Sequence, residues 1–157
     1  MKKISAAALV GIPGALLIAQ FITIQRTNPP LRGDLTAPPQ IKTLLRRACY
    51  DCHSNETRWS WHTYVAPISW LVERDVKRGR QELNFSEWGS YYPTTRRRKL
   101  QWMDRALREE TMPPWTYRVL HPGAGLTQHE LIALEKWIES EIADQPQKQS
   151  EDKGGSQ

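Results

Sequence analysis

Hydrophobic positions recur at helical spacing in four parts of the chain, and polar or proline-rich stretches separate them. The first repeat follows Pro38 and Pro39, which suit the first turn of a helix. Its apolar face consists of Ile41, Leu44, Leu45 and Ala48. Two further repeats predict a helix over residues 71–81 that ends near Gly79, and a helix over residues 96–110 that is capped by Thr94 or Thr95.

The last repeat has the clearest start signal. Thr127 and Glu130 form a T-x-x-E capping box, in which each side chain can bond the backbone of the other residue. The helix that follows runs to about residue 142, and no stretch shows the alternation of a β-strand. The predicted fold class is therefore all-α, with three to four helices and long loops.

An uncharged segment precedes these helices. Residues 4–24 carry no charged side chain and follow Lys2 and Lys3. A helix of this length would reach about 30 Å, enough to cross a bilayer. No A-x-A cleavage site closes the segment, so we expect an uncleaved anchor in residues 1–26, with the rest of the chain translocated. This predicts a single-pass membrane protein whose domain lies on the side of the membrane opposite to Lys2 and Lys3. The alternative is a soluble periplasmic or secreted protein after signal cleavage.

The remaining 131 residues divide by composition into three parts. Residues 27–39 contain two proline pairs and predict an extended, proline-rich linker that holds the domain off the membrane. Residues 40–143 contain all four helical repeats and predict a single domain, whereas the polar residues 144–157 predict a disordered tail.

The net charge of +5 does not indicate a nucleic-acid partner. Three of the 22 basic residues lie in residues 1–26, which hold no acidic residue, so the other 19 nearly balance the 17 acidic residues. We expect a monomer that binds no nucleic acid and contacts a membrane through its N-terminal helix.

The candidate chemistry is concentrated in the stretch CYDCH, which holds both cysteines of the chain, Cys49 and Cys52, followed by His53. A disulfide oxidoreductase places C-x-x-C at a helix N-terminus in a βαβ unit, but here the motif follows a predicted helix. A structural zinc site needs four ligands, and His121 and His129 are too widely spaced for the usual pair. C-x-x-C-H is the motif of covalent c-type haem attachment, in which the histidine binds the iron. A structural Cys49–Cys52 disulfide remains the alternative.

Electron-transfer haems commonly have histidine and methionine as axial ligands, and Met112 is the predicted second ligand. It precedes Pro113 and Pro114, which restrict the backbone of the loop. The competing candidates are His62, His121 and His129. A ligating histidine usually donates its second N–H to a carbonyl, and the Pro67 carbonyl is the predicted acceptor for His53.

Aromatic residues follow the motif closely. Trp59 and Trp61 predict either a wall of the haem pocket or a small aromatic core.

Four blocks of the sequence together resemble a known family. They are LLRRACYDCHSNETRW, APISWLVERDV, NFSEW and MPPWTYRVLHP. Over residues 36–142 they look like the haem-binding domain family of bacterial membrane-anchored, cytochrome c-like proteins. The resemblance implies a cytochrome c-like fold whose first helix packs on its last, with haem c held by Cys49, Cys52 and His53. It also implies that Met112 is the ligand methionine.

Together with the resemblance, these features predict a monohaem c-type cytochrome that is anchored in a bacterial inner membrane with its domain in the periplasm. It transfers one electron at a time and is not an enzyme. If the sixth iron position were open, the protein would instead be a haem-based gas sensor or a peroxidase-like enzyme. The sequence does not name a redox partner protein.

Overall fold

The computed structural model describes residues 6–145, with side chains from residue 11 onward. Over this range the chain forms seven α-helices and no β-strand. The helices are α1 (Ala6–Ala19), α2 (Pro39–Ala48), α3 (Tyr50–His53), α4 (Ile68–Glu82), α5 (Pro93–Arg108), α6 (Trp115–Leu120) and α7 (Gln128–Asp144). The predicted all-α class is confirmed. Lys2, Lys3 and most of the predicted tail lie outside the described residues.

The four predicted domain helices are α2, α4, α5 and α7. The prediction of three to four helices missed α3 and α6, because they have only four and six residues and show no hydrophobic repeat. Helix α5 begins at Pro93, with Tyr92 and not Thr94 or Thr95 at its N-cap. The predicted capping box of Thr127 and Glu130 is present at the start of α7.

Helix α1 has 14 residues, with Pro13 inside it. Among the helices of residues 6–145, none is both long enough and apolar enough to cross a membrane.

The hydrophobic core lies between α2, α5 and α7. Leu45 of α2 and Leu134 and Ile138 of α7 are completely buried, and Leu100 and Leu107 of α5 pack against them. The first helix of the domain therefore packs against the last, as the family resemblance implied.

Residues 27–39 are non-helical up to Pro38, but they do not separate the domain from α1. Leu35 is 2% exposed and belongs to the core, and its N–H donates to the Phe85 carbonyl over 2.9 Å. Asp34 accepts a hydrogen bond from the Tyr50 hydroxyl over 2.8 Å. Gly33 has a φ of 88°, and a Cβ there would lie 2.9 Å from the Gly89 Cα. The segment is packed along the domain, which corrects the expectation of a spacer.

Candidate functional site

The structure brings Cys49, Cys52, His53 and Met112 to one cavity of about 540 Å³. The second half of α4, Trp102 of α5 and the start of α6 supply the rest of its lining. The CYDCH motif and Met112, which the sequence predicted from two separate arguments, are thus neighbours in space. A cavity of this size is in the usual range for a cofactor site.

The CYDCH stretch is held as a single helical turn directly after α2. Cys49 lies between α2 and α3, and its carbonyl accepts a hydrogen bond from the His53 N–H over 2.9 Å. This turn fixes the spacing of the two cysteines and the histidine, and α3 packs against α4.

Gly79 allows this packing to be close. A Cβ at Gly79 would lie 2.5 Å from the Cys52 carbonyl oxygen and 3.1 Å from the Cys52 Cβ. The predicted helix over residues 71–81 is confirmed by α4, but Gly79 lies inside this helix, which continues to Glu82, and does not mark its end. The glycine provides close contact between two helices and does not act as a terminator.

His53 is oriented by the same part of α4. Its Nδ1 lies 2.9 Å from the Gly79 carbonyl oxygen and 3.1 Å from the Leu83 carbonyl oxygen. A carbonyl can only accept, so Nδ1 carries the proton and Nε2 retains a free lone pair. Burial lowers the pKa of His53, against the smaller opposing effect of the two carbonyls, and this favours the neutral imidazole that binds metals.

These two carbonyls correct the prediction for Pro67. Pro67 caps the N-terminus of α4 and its carbonyl accepts from the Trp70 N–H, whereas His53 packs at the C-terminal end of α4. The 15 residues of α4 separate the two ends by about 22 Å.

The two cysteines are free thiols, and both are partly buried. Burial raises the pKa of Cys49 to about 12, with a smaller effect of Cys52. Burial and, secondarily, Asp51 raise the pKa of Cys52 to about 12. Redox-active C-x-x-C motifs require a lowered thiol pKa, so this site does not have their electrostatics.

Met112 reaches the cavity through a tight turn after α5. The N–H groups of Thr111 and Met112 both donate to the Ala106 carbonyl, over 3.0 and 3.3 Å. Glu110 has a φ of 53°, a left-handed conformation that reverses the chain direction at the helix end. Pro113, the next residue, is buried and also lines the cavity.

A buried carboxylate links the CYDCH turn to α6, the helix that follows Met112 in sequence. Asp51, the third residue of CYDCH, is 6% exposed and accepts a hydrogen bond of 2.6 Å from the Tyr117 hydroxyl. It also accepts two bonds of 3.1 Å from the Arg58 guanidinium. Burial first, and then the bond to Asp51, raises the pKa of Tyr117, so the phenol remains the donor.

We expect Tyr117→Phe to lower the free energy of unfolding by about 1–3 kcal/mol, because it removes a hydrogen bond to a buried charge. Chemical denaturation of the purified protein measures this loss. Tyr92→Phe is the matched control, since Tyr92 is 79% exposed, and it should change stability by less than about 0.5 kcal/mol. Equal effects of the two substitutions would contradict a structural role for the Tyr117–Asp51 bond.

A smaller cavity of about 200 Å³ adjoins the first and shares Cys52 and Tyr117 with it. The rings of His62 and His121 meet there, with centroids 5.2 Å apart. His121 also stacks on Tyr117 at 4.0 Å. Neither histidine lines the larger cavity.

The two predicted tryptophans are not at the cysteine cavity. Trp59 lines a different cavity of about 520 Å³ together with Arg80 and Asn84. Trp61 is 75% exposed. The chain bends at Ser54 and Asn55 directly after His53, and the Asn55 N–H donates to the Ser86 hydroxyl. Nearness in sequence to His53 therefore did not place the two tryptophans at the cavity. The aromatic residues that do line the cavity are Trp102 and Tyr117, which sequence reasoning missed.

Residues 14–140 match the family model described as a haem-binding domain, which is most of the chain. Searches of curated proteins and of solved structures return no match. The match agrees with the geometry of the cavity, and the chain belongs to the haem-binding domain family.

Proposed function

We propose that this protein is a monohaem c-type cytochrome with His53 and Met112 as axial ligands, and that it carries single electrons. The observation that supports this most is that Cys49, Cys52, His53 and Met112 all line one cavity. The first three form the attachment motif, and a thioether is a common second ligand of electron-transfer haems.

The residues around the cavity fit a haem on their own chemistry. The protonated thiols of Cys49 and Cys52 can each add S–H across a vinyl double bond to form a thioether. His53 offers the lone pair of Nε2 because its Nδ1 is bonded to the Gly79 and Leu83 carbonyls. Met112 offers a neutral thioether sulfur, so both protein ligands of the iron would be uncharged. Bound haem would supply a one-electron iron couple.

The rim of the cavity carries both charge signs. Arg74 and Arg78 lie on α4 beside Asp75 and Glu82. Arg74 is paired with Asp75 over 3.0 Å, whereas Arg78 has no ion pair among the described residues. We assign Arg78 to the anionic carboxylates of the ligand.

The decisive experiment is intact mass measurement after denaturation, on protein exported together with a haem-attachment system. Wild type is expected to retain one haem per chain. The double variant Cys49→Ser with Cys52→Ser should lose all covalent haem, because serine hydroxyls do not add to the vinyl groups. Each single variant should retain haem through one thioether.

His129→Ala is a suitable control, since His129 lies at the start of α7 and outside both cavities at the cysteines. It should keep full haem. Wild-type protein without covalent haem, but with a Cys49–Cys52 disulfide, would overturn the cytochrome proposal in favour of a haem-free scaffold.

We further propose that the uncharged residues 4–24 attach the protein to the bacterial inner membrane, with the domain on the periplasmic side. In this placement the protein is a monomeric electron carrier, not an enzyme, and serves a redox protein of the same compartment.

A further inference from the structure

One surface of the domain combines several exposed apolar side chains. It is formed by the segment after α1, the turn Trp61–Tyr64 and the first half of α4. We call it the aromatic face, and its members are Phe21 (86% exposed), Ile22 (60%), Trp61 (75%), Tyr64 (58%), Val65 (41%) and Leu71 (49%). Contiguous exposed apolar surface of this kind marks an interaction site.

Hydrogen bonds join the two halves of the aromatic face. The Gln20 side chain donates to the Ala66 carbonyl over 3.2 Å and accepts from the Ala66 N–H over 3.1 Å. The Arg26 guanidinium donates twice to the Thr63 carbonyl, over 2.9 and 2.7 Å. It also lies 4.1 Å from the Tyr64 ring centroid. The chain leaving α1 is thus fixed directly to this surface.

The segment that follows gives the domain little freedom to move away. Arg80 of α4 donates to the Thr27 carbonyl over 2.9 Å and to the Asn28 side chain over 3.0 Å. The Asn55 side chain donates to the Pro30 carbonyl over 3.1 Å. Residues 20–35 are therefore hydrogen-bonded along the domain. A structure that binds α1 would consequently also lie near the aromatic face.

The segments that form the aromatic face contain almost no charged side chains, so this surface does not suit a partner that binds through ion pairs. Residues 60–72 contain no Asp, Glu, Lys or Arg, and residues 20–31 contain Arg26 as the only charged residue. Arg26 is already bonded to Thr63. Tryptophan and tyrosine beside a single arginine are the residue types that prefer the headgroup level of a bilayer.

We propose that the aromatic face lies in the interfacial layer of a lipid bilayer, beside the point where the uncharged segment 4–24 enters the membrane. This inference goes beyond the haem chemistry, and it rests on the proposed membrane attachment. Leu71 also lines the smaller cavity next to Cys52. Contact of the aromatic face with the bilayer would therefore orient the smaller cavity toward the membrane.

Fluorine NMR of the full chain in lipid nanodiscs tests this orientation. The protein, with haem in the reduced state, carries 3-fluorotyrosine, and the nanodiscs contain phosphatidylcholine, phosphatidylglycerol and a gadolinium-chelating lipid. Tyr64→Phe and Tyr92→Phe assign the two signals. Tyr92 is the matched control because it is 79% exposed at the N-cap of α5, outside the aromatic face. We expect a severalfold larger relaxation enhancement at Tyr64 than at Tyr92.

The double variant Trp61→Ser with Leu71→Ser should bring the Tyr64 enhancement down toward the Tyr92 value. Equal enhancements in a wild-type chain that co-purifies with the nanodiscs would overturn the aromatic-face proposal while keeping the membrane attachment. A chain that does not co-purify would overturn both. A Tyr64 signal that responds to protein concentration and not to the lipid would assign the face to a second copy, and would also overturn the proposal.

Discussion

Replacing Gly79 by alanine is expected to lower both the stability of the protein and the amount of haem that it carries. The added methyl group would lie 2.5 Å from the Cys52 carbonyl oxygen, a backbone atom that cannot move without moving α3. Overpacking of this kind costs about 1–3 kcal/mol. It also shifts the Gly79 carbonyl, which orients Nδ1 of His53. Thermal unfolding and the molar ratio of haem to polypeptide measure the two effects.

Helix propensity alone predicts that Gly79→Ala would raise stability, so a measured loss of stability would have to come from the steric contact with Cys52. Alanine stabilises a helix interior by up to about 1 kcal/mol relative to glycine. Gly123→Ala is the control, since nothing lies within 4 Å of a Cβ at that position. It should leave haem loading unchanged. If Gly79→Ala were as stable and as fully loaded as wild type, α3 and α4 would not require this close contact.

The parts of the site that could be predicted are those encoded locally. Cys49, Cys52 and His53 lie within five consecutive residues, and the C-x-x-C-H motif is defined by that spacing alone. Met112 was identified by the two prolines that follow it, because they mark a rigid loop. The helices α2, α4, α5 and α7 were predicted because each buries one apolar stripe.

The parts that could not be predicted depend on contacts distant in sequence. Asp51 and Tyr117 are 66 residues apart, and nothing in the composition of either neighbourhood connects them. The acceptors for His53 lie 26 and 30 residues away, at the far end of the helix that Pro67 begins. A lone glycine within a helical repeat did carry a signal, since it commonly marks close approach of another backbone. That signal was interpreted as a helix end.

The CYDCH motif and Met112 are positioned by different elements of the fold. The cysteines and His53 depend on α3, α4 and Gly79, whereas Met112 depends on α5 and the turn that follows it. Asp51 bonded to Tyr117 links the CYDCH turn to α6 and does not involve Met112 itself. Loss of Met112 should therefore change the electronic state of the site without removing the group held by the cysteines.

Met112→Ala is expected to keep covalent haem and to change its visible spectrum from low-spin to high-spin. The loss of the sulfur ligand should also lower the reduction potential, and it should allow carbon monoxide to bind to the reduced protein. Stability should change little, because Met112 is only partly buried in the loop and lies outside the hydrophobic core. Absorption spectra with and without carbon monoxide, together with redox titration, measure these effects.

Met103→Ala provides the contrast that separates ligation from packing. Met103 is 6% exposed and belongs to the core on α5, so its truncation should cost about 2–5 kcal/mol of stability. Its folded, haem-loaded form should keep the wild-type spectrum. If Met112→Ala instead left a low-spin spectrum unchanged, Met112 would not be the ligand, and His121 and His62 in the adjoining cavity would be the next candidates. If wild type itself bound carbon monoxide, the open-iron alternative, a gas sensor or peroxidase-like enzyme, would replace the electron carrier.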